Sequence, residues 1–234
     1  MQAKFNMTRE ENIFTAKRNI VDYIWKSARL EGMDVTFPQT YAIYERAKLK
    51  NVDVDTVLKI TNLKYGWNLI LDNIDSALDL GFICRVHGEV ARGEAPVWGA
   101  LRTGKVRISG TDYVSPVPDK AAVTKSLAAL LDICEPTERA IEVMLWAMKS
   151  QLFWDGNKRT SMMIANKIMI ENGCGIISVP IDLIDEFSTV LSDYYSNDTL
   201  AEAKQYVYDH CIDGIDFEPA PPQTQDDDEE EIER

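Results

Sequence analysis

Apolar positions along this chain recur at helical spacing for most of its length. In residues 10–29, Ile13, Phe14, Ile20, Ile24 and Trp25 fall near the three-and-four repeat of an amphipathic helix, and Gly32 marks its stop. The stretch from Pro38 and Gln39 to about Lys50 reads as a second helix. Residues 54–63 read as a short third and 67–80 as a fourth ended by Gly81, with 82–90 continuing helically to Gly93. Helical spacing returns at 121–132 and at 136–150, where Pro136 suits a first turn. It returns again at 160–171, closed by Asn172 and Gly173, the residue types that favour a left-handed cap. Residues 176–179 read as a short strand, followed by helices at 181–195 and 199–211.

One segment breaks the pattern. Residues 93–119, GEAPVWGALRTGKVRISGTDYVSPVPD, mix Gly and Pro with an alternating Lys105-Val-Arg-Ile-Ser run. That combination predicts a loop and a small hairpin, with Gly110 near its turn. The expected fold class is therefore all-α with one β-hairpin. No internal repeat is visible.

Composition narrows the class. A chain of 234 residues with 45% hydrophobic and 27% charged residues has enough apolar surface for a sizeable core. No apolar run approaches the ~20 residues that span a bilayer, and the opening MQAKFNMTREENIF is polar where a secretory signal is apolar. Cys84, Cys134, Cys174 and Cys211 lie far apart without a CxxC pair, which fits a reducing cytoplasm. The net charge is −13, and DDDEEEIER at 226–234 carries much of it; after the PAPP at 219–222 this reads as a disordered, self-repelling tail. The acidic remainder argues against a nucleic-acid partner, and nothing in the pattern calls for a membrane.

The candidate chemistry lies between two apolar helices, in QLFWDGNKRT at 151–160. Gly156 allows a backbone conformation that a β-carbon opposes. Amide groups of Gly156, Asn157 and Lys158 could then form a concave nest at the next helix's N-terminus, where the helix dipole favours an anion. Lys158 and Arg159 add full positive charge, and Arg suits bidentate phosphate contact. Asp155 could hold Mg²⁺ through one carboxylate, Asn157 could contact phosphate or fix the turn, and Phe153 would anchor the loop. The same stretch also reads as a plain polar turn with Asp and Asn as caps. Against that, two adjacent cations at a helix N-terminus oppose the dipole unless an anion arrives.

Phe153, Asp155, Gly156, Asn157 and Arg159 resemble the signature of the Fic/Doc family, His-x-Phe-x-Asp/Glu-Gly/Ala-Asn-x-Arg. GALR at 99–102 with VRISGTDYVSPVP at 106–118 is similar to the family's flap, a hairpin that aligns a target segment, and SARLEG at 27–32 is similar to its inhibitory helix. The resemblance implies a Fic-like helical core at 34–215, preceded by an N-terminal inhibitory helix at 1–33 and followed by the acidic tail at 216–234. It implies AMP transfer from ATP with Mg²⁺ to protein hydroxyls. Asp155 would be the metal ligand; Gly156, Asn157, Lys158 and Arg159 the phosphate site; Glu31 the inhibitor; and Val106, Ile108, Gly110 and Tyr113 the target-docking flap. The partners implied are a nucleotide and a protein substrate or regulatory protein, with homo-oligomerisation left open.

Three positions depart from the family pattern. Gln151 stands where the family has its general-base His, and an amide cannot take a proton near pH 7. Lys158 replaces the commoner glycine, as in the Doc branch, whose members transfer the γ-phosphoryl. Met162 stands where an Arg usually receives the inhibitory glutamate, leaving Lys158 or Arg159 as the cations available to Glu31. Of the two histidines, His87 reads as packed on its helix and His210 as a helix-end residue. The expectation is a nucleotide-binding protein with weakened adenylyl transfer. The alternatives are a non-catalytic nucleotide-binding module and a Doc-like phosphotransferase.

Overall fold

The computed structural model describes residues 1–47 and 52–217. The acidic tail and the far end of the expected second helix lie outside these residues. The fold is all-α with two short antiparallel β-pairs. The helices are α1 (Arg9–Arg18), α2 (Ile20–Leu30), α3 (Phe37–Tyr44), α4 (Val54–Asp72), α5 (Leu80–Val90), α6 (Lys120–Leu131), α7 (Pro136–Ser150), α8 (Asn157–Glu171), α9 (Ile184–Asn197) and α10 (Leu200–His210). The expected hairpin forms from β1 (Val106–Arg107) and β2 (Val114–Ser115), with Val106 opposite Ser115. The expected strand at 176–179 is β3 (Ile176–Ile177), and it pairs with β4 (Ile212–Asp213), which the sequence pattern does not disclose.

The antiparallel pair α7 and α8 is the centre of the molecule. Every residue of α8 is buried except Lys158 and Glu171. Although it carries polar residues, α8 is buried on nearly every face, enclosed by α1, α4, α5, α7 and β3. Several of its polar residues are matched to partners. Asn166 accepts from the Ile177 N–H and donates to its carbonyl, which docks β3 on α8. Asn12 of α1 does the same for Gly175.

Several element boundaries differ from the sequence reading. The first expected helix is two, because Asn19 leaves helical geometry (ψ 11°) while its N–H still closes α1 on Thr15. The third and fourth expected helices are one, α4, running through Gly66. That glycine serves close packing: a β-carbon there would lie 2.5 Å from the Met163 sulfur of α8. Gly81, expected to stop a helix, sits in the first turn of α5, which Asp79 caps through the Phe82 N–H at 2.7 Å. α2 ends at Glu31 and is followed by Gly32 (φ 77°), whose N–H returns to the Arg29 carbonyl while that of Met33 returns to Ala28. This left-handed closure fixes the direction in which residue 31 leaves the helix.

Candidate active site

The loop between α7 and α8 is bent by two left-handed residues. Gly156 (φ 70°) is the residue just before α8, and Ala91 packs where its β-carbon would go, at 3.2 Å. Gln151 (φ 44°, ψ 59°) is the other, and as a non-glycine it holds this conformation against steric cost. Asn157 clamps the loop between them, accepting from the Phe153 N–H at 2.9 Å and donating to its carbonyl at 2.8 Å. Of the two roles open to Asn157, the structure gives it the turn. Phe153 is buried as expected, stacked on the His87 ring with centroids 3.7 Å apart.

His87 is fully buried. Its Nδ1 accepts from the Gly99 N–H, so Nε2 carries the ring proton and donates to the Asp155 carbonyl at 2.9 Å. Burial pushes its pKa down to about 4, which keeps it neutral. It braces the loop and has no exposed surface with which to replace a missing base.

A cleft of about 370 Å³ opens over this loop. Its floor is Gln151, Trp154, Asp155, Gly156, Asn157 and Lys158. The hairpin forms one wall through Arg107, Ile108, Ser109 and Thr111, and α9 forms the other through Ser188, Leu191, Ser192 and Tyr195; Glu31 enters from the end of α2. The structure thus brings together residues from four distant parts of the chain. Of the flap positions, Ile108 faces this cleft. Val106 and Gly110 are not among its lining residues, and Tyr113 lines a separate groove with Val117 and Trp146.

The anion nest departs from expectation in one respect. The Gly156 N–H is already engaged, donating to Asp155 Oδ1 at 2.6 Å. The start of α8 otherwise receives no side-chain cap and carries no acid in its first turn, so its positive end faces the cleft. Arg159 is also committed. It is buried, donates to Glu94 Oε1 at 3.0 Å, and lies 2.8 Å from Glu94 Oε2 and 3.7 Å from Asp155. Burial lowers the Arg159 pKa, but the Glu94 hydrogen bond and the charge of Glu31 outweigh it, so the net shift is upward. Asn62 steadies Glu94 by donating to its Oε1 at 2.8 Å. Glu31 lies 4.0 Å from Arg159 Nε and 3.8 Å from Lys158 Nζ, the two cations left to it in the absence of an Arg at Met162. Lys158 also donates to the Leu30 carbonyl at 3.2 Å, neutralising the C-terminal end of α2. Met162 itself is buried in the core.

Each functional atom of the Gln151 side chain makes one internal hydrogen bond. Nε2 donates to the Met148 carbonyl at 2.6 Å, and Oε1 accepts from Asn157 at 3.2 Å. The Asp155 side chain is more than half exposed, at 58%. Among the described residues, no group of three or more His, Cys, Asp or Glu side chains could hold a metal. The donor set therefore fits a hard cation bound by one carboxylate together with ligand oxygens and water, and does not fit a metal held by protein alone.

Sequence reasoning missed Arg102, Glu94, Asn62 and the whole α9 wall. Glu94 had a faint signal, since it follows the break in helical pattern at Gly93. The α9 wall had none, because its residues reach the cleft only through the packing of α9.

Comparison with known proteins agrees with this fold. Residues 77–169 match the sequence profile of the Fic/DOC family. Fic-1 of C. elegans (residues 134–508) superposes with a TM-score of 0.72 at 21% identity, covering 83% of this chain and 62% of that one. A Fic-domain-containing signaling protein from Bacteroides thetaiotaomicron gives 0.70 at 15% identity, covering 86% and 85%. BepC, a VirB-translocated effector of Bartonella tribocorum solved with bound AMPPNP, gives 0.52 at 14% identity, covering 74% and 89%. No curated protein matches the sequence. The profile match is confined to residues 77–169, and the fold is that of Fic-domain proteins. This chain spans less than two thirds of the C. elegans chain.

Proposed function

We propose that this protein binds a nucleoside triphosphate with Mg²⁺ in the cleft over residues 151–158, and that it is an adenylyltransferase toward protein hydroxyls in which Gln151 weakens transfer. Fic-family proteins commonly carry out nucleotide-dependent protein modification, and a neighbour in fold was solved with AMPPNP. The observation that carries the reading is the convergence of the uncapped start of α8, Lys158 and the exposed Asp155 on one cleft walled by the hairpin. Asp155 would hold the metal, which would screen phosphate charge when bound. The first turn of α8 and Lys158 would orient the phosphates. The hairpin would present the target segment, and Glu31 would compete for the space beside Lys158 and Arg159.

Loss of a general base typically costs ~10²–10⁴-fold in rate. One observation favours a second reading, a nucleotide-binding module without transfer: internal hydrogen bonds anchor the Gln151 amide at both ends, and an amide cannot take the proton of an incoming hydroxyl.

Titration calorimetry with ATP in the presence and absence of Mg²⁺ tests the site. Binding is expected only with the metal; a folded protein giving no heat at millimolar Mg-ATP sinks the assignment. Labelling with ATP marked at the α- or γ-phosphate then separates the activities. The wild-type chain is expected to label weakly, and Gln151→His to raise α-phosphate labelling. Label transferred from the γ-phosphate instead points to phosphorylation. Silence from both proteins, with nucleotide bound, favours the module. Strong wild-type labelling that Gln151→His leaves unchanged rejects the missing-base account.

A further inference from the structure

Among the described residues Arg102 is the largest fully buried side chain, 1% exposed, and its hydrogen-bond partners there are all neutral oxygens. A buried guanidinium with no carboxylate beside it is costly unless its donors are satisfied. Here they are. Nε donates to the Gln151 carbonyl, one terminal nitrogen to the Gly104 carbonyl, and the other to Ser115 Oγ at 2.9 Å and the Pro116 carbonyl at 2.6 Å. The Arg102 backbone N–H donates to the Leu152 carbonyl at 3.0 Å. Ser115 Oγ in turn donates to the Ser150 carbonyl at 2.7 Å, so the cation sits on the free carbonyls that end α7.

These contacts, together with the Ser115–Ser150 hydrogen bond, join the hairpin to the loop after α7. One end of Arg102 grips the entry and exit of the hairpin, at Gly104 and at Ser115–Pro116. The other grips the peptide units of Gln151 and Leu152, and so over-determines the left-handed conformation of residue 151. We propose that Arg102 is a positioning residue that sets the hairpin in register with residue 151, and thereby fixes where a protein segment lying on the hairpin meets the base position of the cleft. Planarity is required, because one rigid fork serves carbonyls on both sides; a lysine, a single point of charge, cannot span them. The proposal rests on reading the cleft as a nucleotide-and-target site.

Hydrogen–deuterium exchange on Arg102→Met and Arg102→Lys tests it. Arg102→Met is expected to raise exchange at least tenfold in residues 104–116 and 151–153, with the bodies of α7 and α8 unchanged and Mg-ATP affinity within about twofold of wild type. Arg102→Lys should give the same pattern at smaller amplitude. If Arg102→Met does not fold, Ser115→Ala removes one acceptor and should loosen the same two segments. Exchange that rises evenly through all helices would mean that Arg102 is only a stabiliser, and overturns the proposal. An unchanged hairpin overturns it too. Failure of the wild-type protein to bind Mg-ATP counts against the cleft reading instead, and the exchange pattern keeps the two failures apart.

Discussion

At the scale of single residues, the site is defined by competition for two cations. Arg159 cannot be read as a free phosphate clamp, because Glu94 already holds it in a buried pair. Arg159→Ala would strand the Glu94 carboxylate and cost about 3–5 kcal/mol of stability, which would confound any binding measurement. Lys158 is the better probe, being partly exposed and facing the cleft. Glu31 stands at 3.8–4.0 Å from both cations, beyond hydrogen-bond distance but within strong Coulombic reach. Removing its charge should therefore favour an anion in its place. Glu31→Gln is expected to raise Mg-nucleotide affinity about tenfold, a gain of roughly 1.4 kcal/mol. Calorimetry on the two proteins measures it, and equal affinities would remove Glu31 from the site. Sequence alone suggested a smaller effect, because Met162 takes the place of the usual partner. It named Lys158 and Arg159 as the cations left to Glu31, but did not show that Glu31 lies close to both of them at once.

At the scale of elements, much of the fold could be read from pattern and little of its bracing. The all-helical class, the hairpin at 106–115, the Pro136 start and the Asn172–Gly173 stop all follow from local chemistry. Two of the differences share one cause. Glycine was read as a breaker at Gly81, and α4 was split just beside Gly66, yet the chain uses Gly66 for close approach to α8 and Gly81 inside a capped first turn. Within the site, QLFWDGNKRT announced itself by residue type, while Arg102 and His87 did not, since their role lies in partners 49 and 68 positions away. His87 makes the bracing measurable. Buried neutral in the fold with a pKa of about 4, it binds its proton more readily when unfolded, near its ordinary value of 6.5. Its contribution is thus fully present above about pH 6.5 and is lost as pH falls from there toward 4. The shift corresponds to a few kcal/mol at most. Denaturant midpoints measured at pH 7 and pH 4.5 should fall further for the wild type than for His87→Gln, which keeps polar atoms but has no proton to gain. Parallel declines would assign the pH dependence to other groups.

At the scale of the whole molecule, a central helix buried on nearly every face carries the cleft at its first turn, and its opposite end is tied to the N-terminal segment. The Met7 N–H meets the Gly173 carbonyl, Asn12 holds Gly175, and the Tyr23 hydroxyl donates to Asp213 at 2.9 Å. The segment bearing Glu31 is therefore packed against the rest of the fold. Among the described residues, no helix is long and apolar enough to cross a membrane. The ion pairs of the cleft have a kinetic consequence. At the mouth Arg107 and Lys158 are offset by Glu31 and Asp155, and beneath it Arg159 is paired with the buried Glu94, so the cleft has no surplus of positive charge, and it opens on a chain of net charge −13. Diffusing polyanions meet a repulsive far field with no funnel inside it. Screening shortens the range of that field, to about 8 Å at physiological ionic strength. Stopped-flow encounter rates for a fluorescent nucleotide should thus climb as salt is added, opposite to the trend of a cationic phosphate pocket; rates that drop with salt would reveal a local attraction strong enough to overcome the molecule's own charge.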